Sequence, residues 1–274
     1  MTVATLAEVL GPARRDGYAV PGMVCLGWED ARAYTRAAAA EGLPVILQAG
    51  PSCRAHTPLP VLGAMFRNLA EAVPVPVVLH LDHGTSAEEC DAAIAAGFTS
   101  VMYDGSRLAL EENIATTAAI ARAAHAAGVS CEGEIGFVGY AAGEASQATD
   151  PGEAKRFAEE TGVDAMAISV GNVHLQQSSE AEIDEAALSA IEAATDVPLV
   201  IHGGSGVPPA QRARLARGAV CKFNIGTELR QVFGAELRRA LAAEPEAFDR
   251  VKLLSALEAP IEAAARCVLR GLVP

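Results

Sequence analysis

A closed (β/α)8 barrel with extra C-terminal helices is the fold that this 274-residue sequence predicts, on three observations. Short apolar runs of strand length recur along the whole chain, each followed by an alanine-rich stretch with helical spacing. The runs are near-continuously apolar rather than alternating, as in a parallel sheet buried on both faces. Eight such units can be traced, whereas an open doubly wound sheet usually carries about six strands. A GxGxxG turn after the first run, the mark of the open alternative, is also missing.

In chain order the strands are expected at 19–26, 44–49, 75–82, 100–105, 130–137, 165–171, 198–204 and 221–227. Helices are expected between them, among others at 28–41, 87–96, 111–127, 151–161, 184–194 and 211–217. Thr85 and Ser86 cap the helix that opens with AEEC, and Asp150 precedes Pro151 at a first helical position. The amphipathic tail, 244–270, reads as one or two further helices packed on the barrel or forming an oligomer contact. With no linker, low-complexity segment or repeat beyond the βα rhythm, residues 1–274 are expected to form a single TIM-barrel domain.

Composition excludes several function classes. The net charge is −13, from 34 acidic against 21 basic residues, and aromatics make up only 4%. Without a basic cluster or a stacking surface, nucleic acid and anionic membrane are poor partners. The longest apolar runs fall far below the roughly 20 residues of a membrane helix, and the N-terminal stretch lacks the pattern of a signal peptide. Six cysteines without CxxC spacing read as reduced thiols of a cytoplasmic protein.

Barrels of this kind gather function at the C-terminal ends of their strands, and polar residues crowd those positions here. They are His80-Leu81-Asp82-His83-Gly84, Asp104-Gly105-Ser106, Glu132 and Glu134, Gly171-Asn172-Val173-His174, His202-Gly203-Gly204-Ser205-Gly206 and Asn224-Ile225-Gly226-Thr227. A lone histidine in such a place is usually a hydrogen-bonded loop or core residue. Three at matching strand ends, His83, His174 and His202, with Asp82, Asp104 and Glu134 alongside, describe an open zinc site. His56 and His125 lie in a loop and on a helix, and His80 lies deeper in its strand as a buried or supporting residue. HGGSG, weak alone, gains force from NIGT on the next strand, because the last two strand ends of such barrels commonly cradle phosphate.

The stretches VVLHLDHG, GFTSVMYDGS, GEIG, GNVH, HGGSG and NIGTEL, in this order, resemble the class II, zinc-dependent ketose-bisphosphate aldolases. The resemblance runs from about 18 to 230 and implies a (β/α)8 barrel assembled as a homodimer or homotetramer. It implies His83, His174 and His202 as zinc ligands and Asp82 as the acid/base of the cleaved bond. Asp104 and Glu134 would hold a second divalent metal position, with Glu132 supporting; a monovalent cation is a further implied cofactor. Gly203, Gly204, Ser205, Asn224, Gly226 and Thr227 would contact the phosphate and polar end of dihydroxyacetone phosphate. The implied reaction is reversible retro-aldol cleavage of a ketose (bis)phosphate through a metal-stabilised enediolate. A Schiff-base route is disfavoured: of three lysines only Lys222 lies near a strand end, and it sits at the strand's start.

Departures from the family cluster around the substrate. After the first strand Pro21 is followed by Gly22-Met23-Val24-Cys25-Leu26-Gly27, so both positions where asparagines are usual are apolar or glycine; Gly50 stands where a serine is, and Leu175 where a glycine follows the histidine. A phosphate-binding lysine is missing from LQQSSE, and in the altered loop GFVGYAAGEASQATDP only Glu144 could take the role of a loop glutamate. The expected substrate is therefore not fructose 1,6-bisphosphate but a ketose monophosphate, a modified sugar phosphate or a sulfonated analogue. Two competing readings are a zinc hydrolase on the same histidines and a non-catalytic sugar-phosphate-binding barrel.

Overall fold

The computed structural model describes residues 2–274. Its strands are β1 (Val3–Ala4), β2 (Val20–Val24), β3 (Val45–Ala49), β4 (Val77–Gly84), β5 (Ser100–Tyr103), β6 (Ser130–Ile135), β7 (Ala165–Ile168), β8 (Leu199–Ile201) and β9 (Val220–Ile225). All neighbouring pairs are parallel, in the order β4-β3-β2-β9-β8-β7-β6-β5, and pairing of β5 back to β4 closes the barrel. The eight expected strands are thus β2–β9. The short β1 pairs with Val77 and Val78, below the point where β5 joins β4.

Several strands end earlier than their apolar runs suggested. Gly136 (φ 74°), Gly171 (φ 98°) and Gly203 (φ 63°) turn the chain out of β6, β7 and β8 into the left-handed region, which glycine enters at no steric cost. A side chain at Gly203 would also strike the Val173 carbonyl at 2.2 Å.

The N-terminal end of the barrel is closed by α1 (Leu6–Asp16), a helix the strand-and-helix rhythm did not reveal. Thr5 and Glu8 form a reciprocal capping box at its start, and Gly17 ends it at φ 70°. Leu6, Val9 and Leu10 pack on the inward-facing Val20, Ile46, Val78, Ala165, Ala167 and Val200. Each such buried aliphatic contributes about 1.5–3 kcal/mol, so the lower half of the barrel is a dry, plugged core and the functional end is the other one.

The outer ring is made by α2 (Trp28–Glu41), α3 (Pro51–His56), α4 (Leu59–Glu71), α5 (Ala87–Ala95), α6 (Leu110–Ala126), α7 (Pro151–Thr161), α8 (Glu185–Ala194), α9 (Pro209–Leu215) and α10 (Thr227–Ala243). The tail forms α11 (Arg250–Ser255) and α12 (Glu258–Gly271). Ile261, Ala265 and Leu269 of α12 are buried against the barrel, and Glu258 pairs with Arg32 and Arg36 of α2. The last helix therefore completes the ring.

Candidate active site

Register decides how two consecutive side chains, Asp82 and His83, can face the same space. Between Leu81 and Gly84 strand β4 carries one residue more than β5, a bulge. His83 takes φ 52°, a left-handed conformation that costs a non-glycine residue about 1–3 kcal/mol. Without the bulge, alternation would point His83 outward. Arg54 holds it in place, donating to the carbonyls of Asp82 (2.6 Å), His83 (2.9 Å) and Ala49 (2.8 Å) while paired with Glu89.

Asp82 is buried and clamped through one oxygen. Gln48 Nε2 (2.7 Å) and Asn224 Nδ2 (3.1 Å) both donate to Oδ1. Its Oδ2 faces Gly50, where a Cβ would lie 3.4 Å away. The clamp in turn needs Gly22, because a Cβ there would sit 1.6 Å from Gln48 Oε1.

Three imidazoles converge beside it. Ring centroids lie 5.1 Å apart for His83–His174, 4.7 Å for His83–His202 and 5.6 Å for His174–His202, all edge-on. Their donor atoms, and separately those of His83, Asp104 and Glu134, lie within 4.8 Å of one another. His83 Nδ1 bonds Asp104 Oδ2 at 2.7 Å and lies 3.7 Å from Glu134 Oε2. His202 is oriented from below. Its Nε2 contacts Glu132 Oε1 (3.1 Å), whose other oxygen accepts from Lys222 Nζ (2.6 Å), which in turn lies 3.4 Å from His80. With Nε2 donating to an anion, His202 Nδ1 keeps a free lone pair. Lys222 is fully buried inside this cluster and occupied by Glu132, not a free amine at the mouth.

The set suits a divalent cation. Two of its buried atoms, His202 Nδ1 and Glu134 Oε2, have no hydrogen-bond partner and lie 3.5 Å apart, and imidazole with carboxylate is the donor chemistry of zinc. The electrostatics agree. Burial opposes a charged His83, yet the charges of Asp82, Glu134 and Asp104 and the Asp104 hydrogen bond outweigh it and lift its pKa to about 10. Burial, then the charge of Asp104, pushes Glu134 up to about 8. Burial also works to raise Asp104, but the His83 bond and charge and the Ser106 donors hold it well below the carboxylate range. His174 falls to about 3 and His202 far below its usual value, in both cases through burial first and the charge of His83 second. Carboxylates thus collect positive charge at His83, while the other two rings stay neutral and able to ligate.

These residues open into a cavity of about 350 Å³. Its opposite wall could cradle an anion: Ser205 Oγ accepts the N–H groups of Gly226 (3.2 Å) and Glu228 (3.3 Å) at the N-terminus of the 17-residue α10 and keeps its own hydroxyl proton to donate. Residues 4–272 match the family described as fructose-bisphosphate aldolase class-II.

The chain belongs to the class II fructose-bisphosphate aldolase family.

The fructose-bisphosphate aldolase of Geobacillus stearothermophilus is 37% identical over 261 residues, covering 93% of this chain and 91% of that one. The 6-phospho-5-dehydro-2-deoxy-D-gluconate aldolase of Shouchella clausii is 38% identical over 263 residues, covering 93% and 89%. The crystal structure of the YdjI aldolase from Escherichia coli K12 superposes with a TM-score of 0.84 at 27% identity, covering 98% and 97% of the two chains. This class II aldolase is accordingly a carbon–carbon lyase that performs retro-aldol cleavage.

Of the residues expected at the site of this aldolase, Asp82, His83, His174, Gly203, Ser205, Asn224, Gly226 and Thr227 line the one cavity. Asp104 and Glu134 adjoin it through His83. Gly204 is buried beneath the cradle and Glu132 lies below His202. Glu144 is not brought in. It is more than half exposed and pairs with Arg107 on an outer groove (2.6 Å). The group its loop turns toward the site is Tyr140, stacked on His174 at 5.1 Å and 28° and tied there by the bond from the Ala141 N–H to the His174 carbonyl. Sequence reasoning also missed Gln48, Arg54 and Arg230. Arg54 lies on a helix outside every motif, and Gln48 and Arg230 carried no signal beyond closeness to the second and last strand ends.

Proposed function

We propose that this protein is a zinc-dependent aldolase that cleaves a ketose phosphate other than fructose 1,6-bisphosphate into dihydroxyacetone phosphate and an aldehyde. The observation that carries the reading is that His83 and His174, the clamped Asp82 and the Ser205–Thr227 cradle line one cavity, with the buried His202 clustered against the two imidazoles. His83, His174 and His202 would hold the zinc ion, with Asp104 and Glu134 offering a second divalent or a monovalent position beside His83. When bound, zinc supplies Lewis acidity that stabilises the enediolate charge.

The chain's own groups account for the rest. Asp82, held by Gln48 and Asn224 through Oδ1, takes the proton of the hydroxyl beta to the ketone with Oδ2. The carbon–carbon bond then breaks, its electron pair stays on the ketone fragment, the aldehyde leaves, and a proton returns to the carbanionic carbon. Ser205, Thr227 and the backbone at Gly203, Gly204 and Gly226 hold the phosphate end, which fixes the reacting carbon over the imidazoles.

Two relatives of near-equal identity are named for different substrates, one a bisphosphate and the other bearing a single phosphate. Here Val24, Gly50, Pro51, Ser52, Tyr140, Leu175 and Gln176 line the remainder of the cavity, and Arg230 is the one arginine or lysine among the described residues that line it. That supports a substrate with one anionic end. Dimeric or tetrameric assembly in the cytoplasm completes the proposal: Phe248 (94% exposed) and Val251 (73%) leave apolar surface open around α11, and all six cysteines are free thiols.

The test is the donor half-reaction. Zinc-loaded protein in heavy water should exchange a hydroxymethyl hydrogen of dihydroxyacetone phosphate, followed by NMR, and a chelator should abolish the exchange. Absence of exchange in protein shown to hold zinc would refute the donor assignment. Cleavage of fructose 1,6-bisphosphate at the efficiency of a glycolytic aldolase would refute the substrate assignment.

A further inference from the structure

The proton that returns to the ketone fragment still needs a donor. Asp82 is committed to the hydroxyl of the departing aldehyde, and His83 and His174 to the metal. Arg230 keeps its protons in any protein environment. Ser52, Ser205 and Thr227 offer aliphatic hydroxyls, which do not serve as general acids. Tyr140 is the remaining acid among the described residues that line the cavity, and its hydroxyl has no hydrogen-bond partner among them. The backbone builds its position. Phe137 and Gln147 exchange both of their backbone hydrogen bonds (2.9 and 2.8 Å), and the Tyr140 N–H closes the hairpin tip on the Glu144 carbonyl (3.0 Å). The tip is fastened to the end of the next strand, where the His174 N–H donates to the Gly139 carbonyl (2.8 Å) and the Ala141 N–H to the His174 carbonyl (3.0 Å). The phenol ring is thereby held on the face of the His174 imidazole, while Glu144, across the same tip, reaches away to Arg107.

We propose that Tyr140 is the general acid that delivers this proton, so that a strand-end carboxylate and a loop phenol divide the two proton transfers of the reaction. The proposal rests on reading the cavity as that of an aldolase. Once the carbon–carbon bond has broken, the electron pair on the ketone fragment takes the phenol proton. The O–H bond breaks, a C–H bond forms, and a phenolate is left. Tyr140 is 43% exposed and also lines the outer groove beside Gly143 and Gln177, so the phenolate recovers its proton from solvent. Asp82 has no such freedom, being buried and fixed through Oδ1 by Gln48 and Asn224. Run backward on dihydroxyacetone phosphate alone, the phenol first loses its proton to solvent and the phenolate then takes the hydroxymethyl hydrogen.

Tyr140→Phe keeps the ring against His174 and removes only the hydroxyl, whereas Tyr140→Leu removes both. Zinc-loaded wild type and variants are compared for hydrogen exchange into dihydroxyacetone phosphate in heavy water, and the metal-free proteins for zinc affinity by calorimetry. The maximal exchange rate of Tyr140→Phe should fall roughly 10²- to 10⁴-fold. Its KM for dihydroxyacetone phosphate and its zinc affinity should stay within about twofold of wild type, as should the exchange rate of Glu144→Gln. Exchange by Tyr140→Phe within about threefold of wild type would overturn the proposal and leave the aldolase reading intact; a loss confined to Tyr140→Leu would reduce the ring to a wall for His174. A fall in Tyr140→Phe accompanied by an equal fall in zinc affinity would also overturn it, since the hydroxyl would then act through the metal site. Failure of the wild type to exchange, in protein shown to hold zinc, would remove the donor reading and the proposal with it.

Discussion

Gly22 is far from any motif, yet it is the residue on which the Asp82 clamp rests. Replacing Gly22 by alanine would place a methyl carbon 1.6 Å from Gln48 Oε1, 2.6 Å from its Cδ and 3.0 Å from Asn224 Oδ1. No small shift resolves 1.6 Å, so Gln48 must leave its position and the 2.7 Å bond to Asp82 with it. A hydrogen bond to a charged group is worth about 1.5–3 kcal/mol, similar to the cost of overpacking a core. Gly22→Ala should therefore destabilise by about 1.5–3 kcal/mol, a fall in melting temperature of about 2–4 °C per kcal/mol. The discriminating step is a double-mutant cycle with Gln48→Ala. Once Gln48 is truncated only the Asn224 contact remains, which a few tenths of an ångström relieve, so the Gly22→Ala change should then cost about 0.5 kcal/mol or less. The difference is a coupling of about 1–2.5 kcal/mol, read by thermal and denaturant unfolding. Cleavage by Gly22→Ala should fall roughly 10- to 100-fold, because Asp82 loses its fixed orientation. An equal cost of Gly22→Ala in both backgrounds would show that the clamp does not depend on this glycine.

Four further outcomes are expected. Zinc uptake should release protons. His83, with its pKa lifted to about 10, is protonated at pH 7 in the metal-free protein and must lose that proton to bind metal. Affinity should thus rise with pH, with about one proton released per zinc between about pH 7 and pH 9; calorimetry in buffers of different ionisation enthalpy measures this, and no release would contradict it. Glu132→Gln should weaken zinc binding roughly 10- to 100-fold by loosening the orientation of His202; unchanged affinity would deny Glu132 that part. Asp82→Asn should retain zinc but lose roughly 10²- to 10⁴-fold in cleavage, and a smaller loss would move the acid/base elsewhere. Leu175 sits at φ 57°, so Leu175→Gly should stabilise by about 0.5–1 kcal/mol, the left-handed penalty less the entropy of glycine. A lower melting temperature would mean that the contacts of Leu175 outweigh its strain.

Much of the molecule was legible in the chain. Eight apolar runs specify eight strands because a parallel strand buried on both faces needs apolar residues at every position. The site's main groups could be named because a barrel of this kind presents strand-end residues together, whatever their separation along the chain. Even α1 was readable in principle, from Thr5 and Glu8 three residues apart before an apolar helix.

Other features depended on contacts between distant segments. That Asp82 and His83 face the same space follows from a one-residue slip of β4 against β5, which no local pattern records. Glu144, the loop's obvious acid, is drawn outward by Arg107, while Tyr140 turns in onto His174. Lys222 belongs to a buried cluster with Glu132 and His80, 90 and 142 residues away in sequence. Hydrophobic period and residue type are local properties, so the architecture and the chemical inventory could be read from the chain alone. Which donors stay unpartnered, among them His202 Nδ1, Glu134 Oε2 and Arg230 Nε, was settled by the folded molecule. Satisfaction of a polar atom is a property of its neighbours in space, and no local pattern along the chain records it.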